Sequence, residues 1–201
     1  MPALAIFGGT FDPPHLAHLI LADEARHALG LERVLWVLTP DPPHKQDQAI
    51  TPLKHRRAML ELAIADEPRF ELSTVEIDRP GPHYALDTVL LLAAQNPGCD
   101  LIYLMGEDSL RDLPTWHRPA DFLAAVHALG VMRRPGLPAD LAALEAVLPG
   151  IRLKVRFVDA PRIEIAASDI RQRIAEGRPF RRFLTPAVYE YIRQHHLYRS
   201  A

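Results

Sequence analysis

Two histidines three residues apart, placed behind a pair of glycines, are the clearest chemical signal in the chain. They lie in Gly8-Gly9-Thr10-Phe11-Asp12-Pro13-Pro14-His15-Leu16-Ala17-His18. The glycines let backbone approach a ligand closely or adopt a positive φ, and Pro13-Pro14 stiffen the entry to the histidine pair. If the run continues as a helix, His15 and His18 share a face near its N-terminus. Amides and the positive helix end there favour a phosphate, and two imidazoles can donate hydrogen bonds to a phosphoryl group during transfer. The segment is neither a Walker loop, since it has no Gly-Lys-Ser/Thr, nor the three-glycine dinucleotide turn. A His-x-x-His pair also occurs as two packed or surface histidines, or as half of a metal site. No adjacent cysteine or glutamate completes such a site, so no metal ligand is assigned. Its place directly behind a strand is what distinguishes the pair.

Periodicity identifies the elements that must position it. Leu4–Phe7, Val34–Leu38, Phe70–Val75 and Leu101–Met105 read as buried strands, with a more modest one at Ala128–Met132. Ile151–Val158 alternates Leu153, Val155 and Phe157 against Arg152, Lys154 and Arg156, the period of a strand. Helical patterns fill His15–Leu29, a run opened by a Thr51 cap and Pro52 and ending near Asp66, Tyr84–Asn96, Ala120–Ala125, Leu137–Leu148, Ser168–Glu176 and Pro186–His195. The first strand is expected to end at Gly8-Gly9 in a tight turn. Alternation of this kind predicts an α/β, Rossmann-like, mostly parallel sheet with helices on both faces. Ligands in such folds sit beyond the carboxyl ends of the strands. The loops after Phe7, Leu38, Val75, Met105 and Val158 therefore share one rim.

Composition narrows the function classes. The chain has 201 residues, 48% apolar and 24% charged, which is ordinary for a globular protein, and one domain over 1–201 is expected, with a small helical portion from about 165. A net charge of −2 argues against a broad grip on nucleic acid. Residues 1–100 carry 8 Lys and Arg against 14 Asp and Glu, whereas Arg152–Arg182 carries 9 against 4, a patch suited to a solvated face or to a polyphosphate. Cys99 is the lone cysteine, which precludes an internal disulfide and fits a reducing, cytoplasmic setting. The longest plainly apolar run, Val89–Ala94, is six residues, and Met1-Pro2-Ala3-Leu4 does not read as a signal peptide. No membrane partner is expected. Among 19 prolines and 10 histidines, clusters fall at the predicted rim, at Pro13-Pro14, Pro40, Pro42-Pro43, Pro80 and Pro82, with His15, His18, His44 and His83 beside them.

The first segment resembles the signature of the nucleotidyltransferase superfamily, whose first helix carries His-x-Gly-His. Four further blocks, in order, narrow the resemblance to bacterial nicotinate-nucleotide adenylyltransferases. They are Pro42-Pro43-His44-Lys45, Tyr84-Ala85-Leu86-Asp87-Thr88, Gly106-Glu107-Asp108-Ser109-Leu110 with Leu113-Pro114-Thr115-Trp116, and Ile165-Ala166-Ala167-Ser168-Asp169-Ile170-Arg171. The resemblance implies joining ATP to nicotinate mononucleotide, with Mg²⁺ accompanying the nucleotide and pyrophosphate released. The oligomeric state stays open, a homo-oligomer included.

On that resemblance, His18 is the main donor to the α-phosphoryl oxygens, with His15 beside it, and Lys45 and Arg171 meet the transferring and leaving phosphates. ATP is expected against Gly8, Gly9, Thr10, His15, His18, Gly106, Asp108, Ser168, Ile170 and Arg171. Ser168 is expected to cap its helix; Asp108 either accepts from a ribose hydroxyl or caps the turn at Ser109-Leu110. Asp12 either holds its own turn through backbone hydrogen bonds or touches ligand. The mononucleotide is expected at Lys45, Tyr84, Ala85, Trp116, Arg133 and Arg134. Ala17, Ala166, Ala167, His83 and Ala85 depart from the family outline, and they bear on selectivity more than on chemistry. The alternatives are nicotinamide mononucleotide as acceptor, then phosphopantetheine, then a non-catalytic nucleotide-sensing module.

Overall fold

A computed structural model describes residues 2–42, 50–133, 138–161 and 163–199. The elements run β1 (Ala3–Gly9), α1 (Leu16–Ala28), β2 (Arg33–Leu38), α2 (Leu53–Ile64), β3 (Phe70–Ser73), α3 (Ala85–Gln95), β4 (Asp100–Gly106), α4 (Glu107–Asp112), α5 (Pro119–Ala125), β5 (Ala128–Met132), α6 (Leu141–Val147), α7 (Ile151–Lys154), β6 (Val155–Val158), α8 (Ala167–Ala175) and α9 (Pro186–Gln194). The strands form one sheet in the order β3-β2-β1-β4-β5-β6, and every pairing is parallel. The doubly wound fold expected from the alternation is present.

Strand alternation divides the core into two layers. Ala5 and Phe7 of β1, with Val34 and Trp36 of β2, face Ala22 and Ala25 of α1, Met59 and Leu60 of α2, Ile170 of α8 and Val188 and Ile192 of α9. Leu4 and Ile6, with Leu35 and Val37, face Leu86 and Val89 of α3, Leu110 of α4, Phe122 of α5 and Ile151 of α7. Strands covered on both faces must be apolar at every position, which is why they read as continuous runs. Each buried Leu, Ile or Phe contributes about 1.5–3 kcal/mol.

Several expectations are corrected. β1 runs through Gly8 and Gly9, which pair with Val37 and Leu38. A Cβ at Gly9 would lie 2.9 Å from Phe11 Cζ, so the missing side chain makes room for the Phe11 ring. Of the Leu137–Leu148 pattern, Leu137 lies outside the described residues and 138–140 are not helical; the helix starts at Leu141, capped by the Asp140 carboxylate on the amides of Ala142 and Ala143. Ile151–Val158 is not one strand: Ile151–Lys154 is a helical turn entered through left-handed Gly150, φ 89°. The Glu145 carboxylate fixes that turn by accepting from the amides of Gly150 and Arg152 at 2.8 and 3.0 Å, and these bonds hold its pKa below the ordinary value. Period-2 apolarity misleads here because Leu153 is 79% exposed. Pro52, not Thr51, occupies the cap position of α2, without a side-chain cap. Thr51 is engaged elsewhere, its amide on Asp12 Oδ2 and its carbonyl on Arg56.

The basic stretch after Arg152 also resolves into local roles. Lys154 Nζ donates to the carbonyls of Leu123, Ala124 and Val126, closing the end of α5. Burial lowers its pKa. Arg156 bonds the carbonyls of Leu153 and Val155, Arg173 lies over Phe183 and Arg178 pairs with Glu176.

Candidate active site

In a doubly wound sheet the ligand crevice lies where the two halves part. β1 and β4 pair only as far as Ile6 and Tyr103, three residues short of the end of each strand. On their outer sides both remain paired to the end, Gly9 with Leu38 and Gly106 with Met132. Strand order also reverses here, with β2 and β3 on one side and β5 and β6 on the other. A parallel sheet receives its ligand at such a switch point. Gly8 and Gly9 end β1 there, with Thr10 directly after them, and Gly106 ends β4.

His15 is the N-cap of α1, and its backbone N–H donates to Nδ1 of His18 at 3.2 Å. An acceptor nitrogen carries no proton, so neutral His18 holds its hydrogen on Nε2, the donor on the opposite side of the ring. The two imidazoles stack with centroids 3.6 Å apart and planes 21° apart. Phe7 and Phe11 meet the His18 ring edge-on at 6.2 and 5.2 Å. His15 is only 5% exposed. The first turn of α1 thus fixes both a tautomer and a ring orientation. Ala17 is buried.

Behind this turn lies a residue that motif reading misses. Arg56, in α2, is 2% exposed. Its Nε donates to the Thr51 carbonyl at 2.8 Å, its Nη1 to those of Thr10 and Thr39 at 3.1 and 2.8 Å, and its Nη2 to that of Pro40 at 2.6 Å. One guanidinium therefore gathers the loops after β1 and β2. Burial lowers its pKa, while Asp12 foremost, then Asp41 and Tyr198, oppose that shift. The available signal is position: Arg56 falls in the stripe formed by Leu53, Leu60 and Ile64, where a charge is out of place.

Asp12, also 5% exposed, holds this loop from the other side. Its Oδ2 accepts from the Thr51 amide at 3.1 Å and its Oδ1 from the Tyr198 hydroxyl at 2.7 Å. Arg171 Nη1 donates to the Asp12 carbonyl at 2.7 Å, which brings α8 against the first loop. Phe11 has a left-handed backbone, φ 46°, which costs a bulky residue about 1–2 kcal/mol and turns its ring over Gly9.

The remaining predicted residues divide. Ser168 is exposed and lies inside α8, whose cap position is Ala166, so it is not the cap; its hydroxyl lies 3.5 Å from the Asp169 carboxylate. The Ile170 side chain belongs to the core and its amide is bonded to the Ala166 carbonyl. Gly106 takes the cap position of α4, which puts exposed Asp108 in the first turn, paired with Arg111. Tyr84 is the N-cap of α3, with Ala85 next to it. The Tyr84 ring stacks on His117 at 4.0 Å, while Trp116 is partly buried against Phe122 and Tyr103. Arg133 lies over the Phe157 ring and pairs with Asp159. Lys45, His44 and Arg134 lie outside the described residues.

The loop after β3 carries its own buried polar group. Thr88 Oγ1 donates to Glu76 Oε1 at 2.6 Å, and Arg79 donates to the Pro82 carbonyl. Glu76 Oε2, Arg79 Nε and His83 Nδ1 are buried with no hydrogen-bond partner among the described residues. Burial, reinforced by Glu76, pushes the Tyr103 hydroxyl above its ordinary range. A Cβ at Gly8 would lie 3.2 Å from that hydroxyl. Among the described residues no group of three or more His, Cys, Asp or Glu is placed to hold a metal. No helix there is long and apolar enough to cross a membrane.

Comparison with known proteins agrees with this architecture. The family model described as Cytidylyltransferase-like matches residues 6–173. A relative from Thermomicrobium roseum, named "Probable nicotinate-nucleotide adenylyltransferase", is 49% identical over 100% of this chain and 93% of its own length. A relative of the same name from Roseiflexus is 44% identical, covering 98% of both chains. Among solved structures, the Plasmodium falciparum nicotinic acid mononucleotide adenylyltransferase complexed with NaAD shares the fold at a TM-score of 0.80 and 18% identity, covering 98% of both chains. With a match spanning most of its length and the switch-point cleft at its centre, the chain belongs to the cytidylyltransferase-like family and, within it, to the nicotinate-nucleotide adenylyltransferases.

Proposed function

We propose that the chain transfers the adenylyl group of ATP to nicotinate mononucleotide, giving the deamido form of NAD and pyrophosphate. Full-length relatives of that name at 49% and 44% identity support the reaction. The observation that carries the mechanism is the His18 tautomer, in which Nδ1 accepts from the His15 amide and the proton sits on Nε2. A phosphate oxygen of the mononucleotide attacks the α-phosphorus of ATP in line, the bond to the β-phosphate oxygen breaks, and pyrophosphate leaves. The attacking phosphate is already ionised near neutral pH, so the protein supplies positioning and charge relief and no side-chain nucleophile. His18 donates to the α-phosphoryl oxygens, with His15 held against it. Arg171, poised on the Asp12 carbonyl, meets the β- and γ-phosphates together with the amides opening α8; Lys45 contributes a further positive charge. Backbone at Gly8, Gly9, Thr10 and Gly106 borders the nucleotide, and Asp108 takes a ribose hydroxyl. The pyridine ring lies against Trp116 and Tyr84, near Ala85, with Arg133 and Arg134 toward its charged groups. Mg²⁺ bound to the substrate ATP would screen the triphosphate charge. The reaction uses soluble small molecules and calls for neither nucleic acid nor membrane. A cytoplasmic setting accords with the lone Cys99.

A pyrophosphate-release assay with ATP and Mg²⁺ tests the reading, with nicotinate mononucleotide, nicotinamide mononucleotide and phosphopantetheine offered in parallel. Turnover is expected to be fastest with nicotinate mononucleotide. Equal or better turnover of phosphopantetheine overturns the assignment, and ATP binding without pyrophosphate release with any acceptor identifies a sensing module instead.

A further inference from the structure

We infer that Tyr198, in the C-terminal tail, is a positioning residue for adenylyl transfer, acting through Asp12 on the loop that carries His15 and His18. The inference rests on the reading of that loop as the transfer site. Tyr198 lies 186 residues from Asp12 in sequence, yet its hydroxyl donates to Asp12 Oδ1 at 2.7 Å. Asp12 precedes His15 by three residues and is the point where three other parts of the chain converge. The tail reaches one carboxylate oxygen, the amide before α2 reaches the other, and Arg171 of α8 reaches the backbone carbonyl.

The tail is shaped to make this contact. After α9 ends at Gln194 the backbone passes through left-handed His196 and Tyr198, φ 51° and 64°. Non-glycine residues hold that conformation only where their surroundings over-determine it. Here Leu197 N–H returns to the Ile192 carbonyl at 3.1 Å, and the Tyr198 hydroxyl lies 3.9 Å from Met59 Sδ in α2 as well as on Asp12. Burial, and next the Asp12 charge, raise the hydroxyl well above the usual tyrosine range. It therefore remains a protonated donor across the working pH.

The chemistry gives the contact a purpose. A carboxylate three residues from phosphate-directed histidines would repel a triphosphate if it turned toward the cleft. Tyr198 and the Thr51 amide occupy both of its oxygens and keep the charge facing the interior. The same grip sets the Asp12 carbonyl on which Arg171 rests. Removing the hydroxyl frees one carboxylate oxygen and loosens the loop that aims His18 and Arg171 together, and misplacement by about 1 Å is enough to cost a large factor in rate.

The test is Tyr198→Phe, which keeps the ring, alongside Asp12→Asn and the double variant. Measurements are kcat and KM for ATP, thermal unfolding, and the imidazole signals of His18 and of distant His127 by NMR. In Tyr198→Phe, kcat should fall about tenfold with KM for ATP changed less than about threefold. The His18 signals should move while those of His127 stay. If the tyrosine acts through Asp12, the double variant should lose no more kcat than Asp12→Asn alone. A folded Tyr198→Phe protein with kcat within twofold of the parent and unmoved His18 signals overturns the inference, as does full additivity in the double variant. Absence of pyrophosphate release by the parent with every acceptor is instead a failure of the proposed function. The His18 signals then decide the coupling alone, and unmoved signals overturn it.

Discussion

The loop after β1 and the loop after β3 both follow the carboxyl ends of their strands but bond their charged side chains differently. In the first, Arg56 serves four carbonyls and both carboxylate oxygens of Asp12 are bonded. In the second, Glu76 Oε2, Arg79 Nε and His83 Nδ1 are buried without partners among the described residues. Closed networks rigidify, while groups left unmatched raise the cost of burial without fixing geometry. The side assigned to phosphoryl chemistry is thus built for rigidity. The side assigned to the acceptor is held chiefly by apolar packing around Trp116, Phe122 and Tyr103.

Substitutions can break or sharpen this contrast. The largest effect is expected from Arg56→Met, which removes a buried cation beside Asp12 and its bonds to four loop carbonyls. It should cost about 3–5 kcal/mol in denaturant unfolding, and a loss under 1 kcal/mol would show that the first loop does not depend on its network. His18→Ala should lower kcat by about 10²–10³-fold, the usual effect of removing one preorganised donor, with little change in melting temperature. Near-full activity in a steady-state assay would remove His18 from the mechanism. Glu76→Gln should change stability by less than about 1 kcal/mol, since the amide oxygen can still accept from Thr88 and the other carboxylate oxygen had no hydrogen bond to lose. A cost above about 3 kcal/mol in the same denaturant assay would mean that the two loops are alike.

The smallest effect concerns pH. His55, bonded to the Tyr191 hydroxyl at 3.0 Å, joins α2 to α9. Burial, then Lys54 and His195, hold its pKa below 6.5. The unfolded chain therefore binds more protons than the folded one as pH falls through 6.5, so stability should be full above that value and decline below it. His55→Gln should flatten that part of a melting-temperature profile; an unchanged slope would assign it to other groups.

Most strand positions and the rim at their carboxyl ends are legible in the sequence because burial on both sheet faces writes itself as unbroken apolar runs, whereas the strand order that sets the switch point is not. The His15–His18 placement is legible for the same reason, since the strand before it is unmistakable. Ile151–Val158 misleads because a two-residue alternation does not reveal that the Glu145 carboxylate holds the first half as a helical turn. Thr51 and Ser168 look like helix caps from residue type alone, but tertiary hydrogen bonds turn Thr51 toward Asp12 and the chain reaches α8 through Ala166. Arg56 and Tyr198 escape notice because their partners lie on other elements, up to 186 residues away.

The parting of β1 from β4 has a consequence for how the family can vary. Beyond Ile6 and Tyr103 the facing edges of these strands have no ladder to each other, so the rim there is made of main chain. Main-chain groups are carried by every residue type and are not erased by substitution, provided the strand path is kept. Under the proposed function, a nucleotide held there by main chain leaves the side chains around it open to exchange, as at Ala17, Ala166 and Ala167. Drift is confined at the positions where a path must be held open, such as Gly9 beneath the Phe11 ring.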